Sequence, residues 1–340
     1  MNDIANNIAS LWSWDQIPAA AKSLSMGFGL TMAGMPVYLM GMRRLGWGQP
    51  IREEGPQDHK VKHGTPTMGG GLFVPAGLLA GLWAGHYTGN ILCLWLVTLG
   101  GWLLGLSDDL IKVLKNHNFG LSARQKLLLQ SIIALGCSGY VAFTVNHPGV
   151  LIPGVGLWSG MLPVIVVGYF AMLGTSNGVN ITDGQDGLAS GVVISSLLFF
   201  TAVCLQQGQM DLAAGSAGLL GACVGFLWYN CYPAKIFMGD TGSMGLGCAL
   251  AALASMTSTE LLLVVVGGVF VIESLSVMLQ VSYFKWTKGK RIFRMSPLHH
   301  HYTQGGMHEV QVTTRFWVIS WVLAALGYAL YLKFYSQGVH

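Results

Sequence analysis

Apolar residues recur along this chain in ten long stretches, roughly residues 22–42, 69–88, 90–106, 127–146, 158–176, 188–207, 212–230, 242–258, 261–283 and 316–335. A helix needs about 20 mostly apolar residues to cross the hydrocarbon core of a bilayer. The pattern therefore predicts an all-α polytopic membrane protein of about ten transmembrane helices, and an even number returns both termini to one side. The boundary between the second and third spans is the least sharp, resting on a tight turn near Gly89 and Asn90. Residues 1–20 lack the basic start and small-residue cleavage site of a signal peptide and carry Trp12 and Trp14 beside Leu11 and Ile17, which suits an interfacial segment. No repeat, low-complexity tract or flexible linker divides the chain, so residues 1–340 read as a single integral membrane domain.

Composition agrees: 52% of residues are hydrophobic and 9% charged, far from a soluble chain of this length. Charge placement adds an orientation. Five connectors, residues 43–67, 107–126, 176–187, 231–241 and 284–315, hold 25 of the 32 charged side chains and 16 of the 18 basic ones. Short loops rich in Lys and Arg stay cytoplasmic, so these five are expected on the cytoplasmic face and both termini outside. The net charge of +4 is a product of this one-sided placement. It points to anionic headgroups or an anionic substrate, and no basic, aromatic-interleaved groove for nucleic acid is visible. The six cysteines lie in or beside spans without metal-ligand spacing and read as small packing residues.

Many of the 47 glycines fall inside spans, where small residues let helices approach closely in lipid. Gly267 and Gly268, followed by Glu273 inside the ninth span, differ: a carboxylate at that depth calls for a bend, a polar partner or a lipid-accessible groove. Glu273 is either a satisfied structural residue or part of such a groove.

The charged connectors also carry the candidate chemistry. Asp108 and Asp109 are adjacent at a membrane edge, with Lys112 one helical turn on. Two neighbouring carboxylates there favour a cation between them, and magnesium takes oxygen ligands from one or two carboxylates plus phosphates. A solvated helix end with an Asp/Lys pair is the plainer alternative. Asn180, Asp183 and Asp186 are spaced by three among glycines, so one turn or a tight loop is expected to present them on one side. Asp240, within Gly239-Asp240-Thr241-Gly242-Ser243, either caps the eighth helix or supplies the third carboxylate of a shared metal site. No Gly-Lys-Ser/Thr follows it, which argues against a nucleotide-hydrolysing phosphate loop.

The last connector holds Lys285, Lys288, Lys290, Arg291 and Arg294 among aromatics, then Pro297-Leu298-His299-His300-His301. Successive helical residues point about 100° apart, so three adjacent histidines do not share one zinc easily. Imidazoles facing a diphosphate are the better reading, with interfacial surface histidines the alternative. Lys60, Lys62 and Thr65 of the first connector are placed to hold a phosphate or a base carbonyl, or simply form a positive-inside loop.

Together these segments resemble the phospho-N-acetylmuramoyl-pentapeptide transferases, within the polyprenyl-phosphate hexosamine-1-phosphate transferase superfamily. The resemblance is carried by Lys62-His63-Gly64-Thr65-Pro66-Thr67-Met68-Gly69-Gly70, Asp108-Asp109 with Lys112, Gly120-Leu121-Ser122-Ala123-Arg124, Asn180 to Gly187, Phe237 to Ser243 and the histidine triplet, and it runs from the first span to the last. Gln185, where an apolar residue is usual, and Ser296, where Ala is usual before the proline, depart from the pattern.

The resemblance implies ten transmembrane helices in the bacterial inner membrane, periplasmic termini, a homodimer, a cytoplasmic active site and Mg²⁺. It implies transfer of phospho-MurNAc-pentapeptide from UDP-MurNAc-pentapeptide to undecaprenyl phosphate, giving lipid I and UMP. It further implies Asp240 as principal metal ligand with Asp108 and Asp109 at the same centre, and Asp108 activating the lipid phosphate or attacking directly. Asn180, Asp183 and Asp186 would line the nucleotide and sugar site, Phe237 would stack on uracil, and His299 and His300 would contact the diphosphate, with His301 beside them. Lys112 and Lys126 would stabilise the developing charge. A sister transferase acting on another UDP-sugar would share the aspartates and lack the histidines. A secondary transporter would need ionisable groups near the midplane, where only Glu273 lies.

Overall fold

The computed structural model describes residues 18–48, 64–84, 87–115, 119–144 and 149–335. The interfacial segment proposed for residues 1–20 lies almost wholly outside them, as do Lys60 and Lys62. Every apolar stretch contains a helix: α1 (Ala19–Leu45), α2 (Gly70–Ala84), α3 (Gly89–Leu114), α4 (Ala123–Thr144), α5 (Met161–Thr182), α6 (Leu188–Gln206), α7 (Met210–Asn230), α8 (Gly239–Met256), the pair α9 (Glu260–Val266) and α10 (Gly268–Trp286), and, after the short α11 (Leu298–Thr303), α12 (Glu309–Phe334). Seven are individually long and apolar enough to cross a membrane, and the bent pair brings the number to eight. The chain is thus a multi-pass helical membrane protein.

Two local readings need correction. The all-α expectation omits an antiparallel hairpin between α4 and α5, β1 (Gly149–Ile152) paired with β2 (Gly156–Ser159), Gly149 opposite Ser159. The fifth apolar stretch therefore starts as a strand, and its helix begins at Met161, after glycines at positive φ that a helix does not accommodate. At the other face, α3 runs to Leu114 and α5 to Thr182. Asp108, Asp109, Lys112 and Asn180 thus stand on rigid helical turns rather than in loops.

Burial separates central from peripheral helices. The most apolar stretch of α7 is 83% buried and that of α6 78%, against 22% in α1 and 28% in α12. Small side chains dominate α7 and α8, so the helices around them come close enough for backbone contact, the usual source of helix association in lipid. Two contacts fix the start of α8. A β-carbon at Gly105 of α3 would fall on the Asp240 carbonyl, and one at Gly70 of α2 on the Gly242 amide. Within the same region Gly69 and Gly70 donate to the Phe237 and Met238 carbonyls at 2.8 and 3.0 Å.

The predicted break in the ninth span is real. α9 and α10 meet at 81° across Gly267, consistent with a glycine pair as the weak point of a helix. The bend carries α10 out with Glu273 buried on its inner side. Hydrogen bonds join the five charged connectors at one end of the bundle: Phe237 N–H to the Pro66 carbonyl (2.9 Å), Thr241 to Asp109, Asn180 to Asp240, and the Asp186 amide to Glu309.

Gly105→Ala is expected to destabilise the protein by about 1–3 kcal/mol, because the added methyl meets backbone that cannot repack. Gly136→Ala on the exposed side of α4, where nothing lies within 4 Å of the added carbon, should be neutral or slightly stabilising. Thermal unfolding in detergent distinguishes the two.

Candidate metal centre

Asp108 and Asp109 occupy the last turns of α3, and both are buried. Helical spacing sets Lys112 beneath them: its Nζ lies 2.6 Å from Asp108 Oδ2 and 3.8 Å from Asp109 Oδ1. It also reaches Asp240 Oδ2 at 3.1 Å. Lys126, from the first turn of α4, approaches the same two oxygens, 3.0 Å from Asp108 Oδ2 and 2.9 Å from Asp240 Oδ2. Two ammonium groups thus bridge three carboxylates whose ligand oxygens lie within 4.8 Å of one another. Three hard oxygen donors at this spacing can hold a metal ion, so the predicted meeting of Asp108, Asp109 and Asp240 is present in the fold.

Each carboxylate is oriented by a further contact. Asp108 Oδ1 accepts from the Leu121 amide at 2.6 Å, and Gly120 beside it has no side chain to obstruct the carboxylate. Asp109 Oδ2 accepts from both the amide (2.8 Å) and hydroxyl (2.7 Å) of Thr241. Asp109, from another helix, therefore serves the free amides and positive end of α8. Of the two readings left open for Asp240, capping is excluded: Met238 is the cap residue and makes no side-chain bond. Asp240 turns instead to the lysines, while its Oδ1 accepts from Asn180 Nδ2 at 2.8 Å. Asn180 Nδ2 also donates to Ser243 Oγ at 2.9 Å.

The expectation that Asn180, Asp183 and Asp186 face one way holds in part. Asn180 points at Asp240. Asp183 ends α5, and burial, followed by the negative charges of Asp240 and Asp109, pushes its carboxyl well above the usual carboxylate range against the opposing Gly239 amide. Asp186 diverges: Oδ2 accepts from the Ala234 amide at 2.9 Å, and its own amide donates to Glu309 Oε1 at 2.8 Å. The chain leaves the helix at Asp183, so the three-residue spacing no longer keeps side chains on one face.

The histidines diverge as adjacent helical residues must. His299 is fully buried, its Nδ1 3.2 Å from Glu273 Oε2 and its amide donating to Glu273 Oε1 at 3.2 Å. Its Nε2 packs against Gly184, where a β-carbon would collide with the ring. His300 stacks edge-on to His299, centroids 4.2 Å apart. His301 turns to the basic stretch, Nδ1 accepting from the Arg294 amide at 3.1 Å. None of the three enters the carboxylate cluster. Gln185, one of the departures, donates to the His299 carbonyl at 3.4 Å. Phe237 and Thr65 are partly exposed near the mouth.

Sequence reasoning missed two supporting residues, Gln280 and Glu309, and the partner of a third. Glu273 was conspicuous as a buried carboxylate, but its partner 26 positions away was not legible. Gln280 Oε1 accepts from the Ile292 and Phe293 amides at 3.0 and 2.9 Å, holding the basic stretch against α10. Neither this nor Glu309 carried a signal in its local sequence.

Residues 91–258, which include all three carboxylates of the cluster, match the family model described as glycosyl transferase family 4, which puts this polytopic helical protein among the membrane-embedded transferases. Curated relatives narrow the class. The chain is 44% identical over 312 residues to the phospho-N-acetylmuramoyl-pentapeptide-transferase of Bacillus licheniformis, covering 90% of this chain and 95% of that one. It is 45% identical over 322 residues to that of Geobacillus kaustophilus (91% and 97%) and 44% identical over 319 residues to that of Bacillus subtilis (90% and 95%). The chain belongs to the phospho-N-acetylmuramoyl-pentapeptide-transferase family.

Glu273→Leu removes the acceptor of the buried His299 amide and should cost about 1–3 kcal/mol of stability. Glu273→Gln keeps an oxygen there and should cost less. An equal shift in unfolding midpoint for the two would show that this contact is dispensable.

Proposed function

We propose that this protein transfers phospho-MurNAc-pentapeptide from UDP-MurNAc-pentapeptide to undecaprenyl phosphate, releasing UMP and forming lipid I, the first membrane step of peptidoglycan synthesis. The observation that carries the reading is the cluster of two buried carboxylates, Asp108 and Asp109, with the partly exposed Asp240, bridged by Lys112 and Lys126 at the end of an apolar helical bundle. In the reaction an oxygen of the lipid phosphate bonds to the phosphorus that bears the sugar, and the bond from that phosphorus to the oxygen of UMP breaks. Negative charge gathers on the phosphoryl oxygens and the departing UMP.

The chain's own groups suit that charge. Lys112 and Lys126 offer positive charge on two sides, and fixed cations in a partly dry mouth stabilise a developing anion more than water does. Asp240, Asp108 and Asp109 would hold Mg²⁺, which when bound supplies Lewis-acid stabilisation of the diphosphate. Asp108 orients or activates the lipid phosphate. Asn180 fixes the Asp240 carboxylate, and Asp183 faces the sugar nucleotide, while Asp186 works from behind by tying its loop to Ala234. Phe237 offers a ring for uracil and Thr65 a hydroxyl, and the sequence assigns Lys60 and Lys62 to a phosphate or a base carbonyl. The resemblance assigns His299 and His300 to the diphosphate; His299, buried between Glu273 and Gly184, would serve it by positioning the turn and the His300 ring, while His301 turns to the basic stretch.

Ten spans fit this reading, with α2, α8 and the bent α9–α10 pair counted as crossings. The Lys/Arg asymmetry supports a cytoplasmic mouth, periplasmic termini and residence in the bacterial inner membrane. The family resemblance supports a homodimer.

Membranes containing the protein should release UMP from UDP-MurNAc-pentapeptide and undecaprenyl phosphate only with Mg²⁺, and EDTA should abolish the signal. Asp240→Asn should lower kcat by about 10²-fold or more, the scale seen when one electrostatic stabiliser is lost. Full activity in Asp240→Asn, or equal turnover of UDP-GlcNAc, would contradict the assignment.

A further inference from the structure

At the same end of the bundle, apart from the carboxylates, a cavity of about 660 Å³ opens between α1, α7 and the loop leading to α8, lined by Pro36, Leu39, Met40, Arg43, Arg44, Tyr229 and Lys235. Its walls are built. Pro36 lies inside α1 and has no N–H, so the Met32 carbonyl one turn earlier lacks its helical donor. The Tyr229 hydroxyl donates to that carbonyl at 3.1 Å. The Tyr229 carbonyl in turn accepts from the Lys235 amide at 2.8 Å, which fixes the loop that carries Lys235.

The lining divides by chemistry. Pro36, Leu39 and Met40 form an apolar floor on the membrane side, and three cations, Arg43, Arg44 and Lys235, form the rim. Among the described residues no carboxylate lines the cavity, and none forms an ion pair with these three. Basic side chains in the last turn of a helix are expected from the negative end of the macrodipole alone. A third cation from another element and an adjoining apolar hollow are not.

We infer that this cavity is a binding site for an anionic glycerophospholipid. The phosphate sits among Arg43, Arg44 and Lys235, and the upper acyl chain lies along Leu39 and Met40, the remainder continuing into the bilayer. The volume is in the range of about 300–1,000 Å³ typical of ligand pockets, enough for a headgroup and the start of a chain. Guanidinium pairs bind phosphate oxygens in a fixed fork geometry, and basic residues at the cytoplasmic leaflet are drawn to anionic lipid. The site shares no residue with the proposed transferase centre, and the inference stands independently of that function.

The test uses the full-length protein, delipidated in a zwitterionic detergent and titrated with dioleoyl phosphatidylglycerol or dioleoyl phosphatidylcholine, with lipid counted by native mass spectrometry. Wild type should retain phosphatidylglycerol at least 10-fold more tightly than phosphatidylcholine. The triple variant Arg43→Gln/Arg44→Gln/Lys235→Gln should lose that preference, whereas Lys288→Gln/Lys290→Gln, in the other basic stretch, should keep it. Met40→Trp, which fills the floor at a half-exposed position and leaves the cations in place, should weaken phosphatidylglycerol binding as well, and serves if the triple variant does not fold. Equal retention of the two lipids by wild type, undiminished preference in the triple variant or in Met40→Trp, or equal loss in Lys288→Gln/Lys290→Gln would overturn the proposal.

Discussion

Three carboxylates at the edge of a low-dielectric bundle repel one another, and this end of the bundle is arranged around keeping them together. Lys112 and Lys126 bridge them from two helices. The amide end of α8 meets Asp109, and Asn180 holds Asp240 from a third direction. Gly105 and Gly70 let the backbones of α3 and α2 touch the first turn of α8, which sets Asp240 beside Asp108 and Asp109. Each contact is modest alone, and removing one partner of a buried charged pair costs far more than the pair itself contributes. A divalent cation fits the same logic, because it adds the positive charge that the cluster already recruits from lysines.

A second network lies behind the first. The α9–α10 bend delivers Glu273 to His299, His299 packs on Gly184, and Gln185 holds the His299 carbonyl. Asp186 and Glu309 then tie that loop to the α7–α8 connector and to the start of α12. The two networks share the turn from Asn180 to Asp186.

Much of the architecture was legible from periodicity and charge. Apolar stretches became helices, the glycine pair at 267 and 268 became a bend, and the carboxylates of two separate connectors met. What remained illegible depends on contacts across long sequence separations. Asp109 meets Thr241 132 positions on, so no local pattern could reveal that Asp109, rather than Asp240, serves the start of α8. Where a helix passes beyond the apolar stretch, hydropathy stops reporting it, which is why Asp108 and Asn180 fell in connectors whose helical continuation was left open. Asp186 followed the spacing rule only as far as the helix did. The hairpin at 149–159 was hidden because a short run of Val, Leu, Ile and Trp resembles a helix start until its glycines are given their φ values.

The central claim is that Asp108, Asp109 and Asp240 form one divalent-cation site. Titration of the purified protein with Mn²⁺, followed by electron paramagnetic resonance, reads this directly and needs no substrate. One Mn²⁺ per chain, displaced by Mg²⁺, lost in Asp240→Asn and kept in Asp186→Asn, whose carboxylate is engaged with the Ala234 amide, is the predicted result. Undiminished Mn²⁺ binding in Asp240→Asn would contradict it.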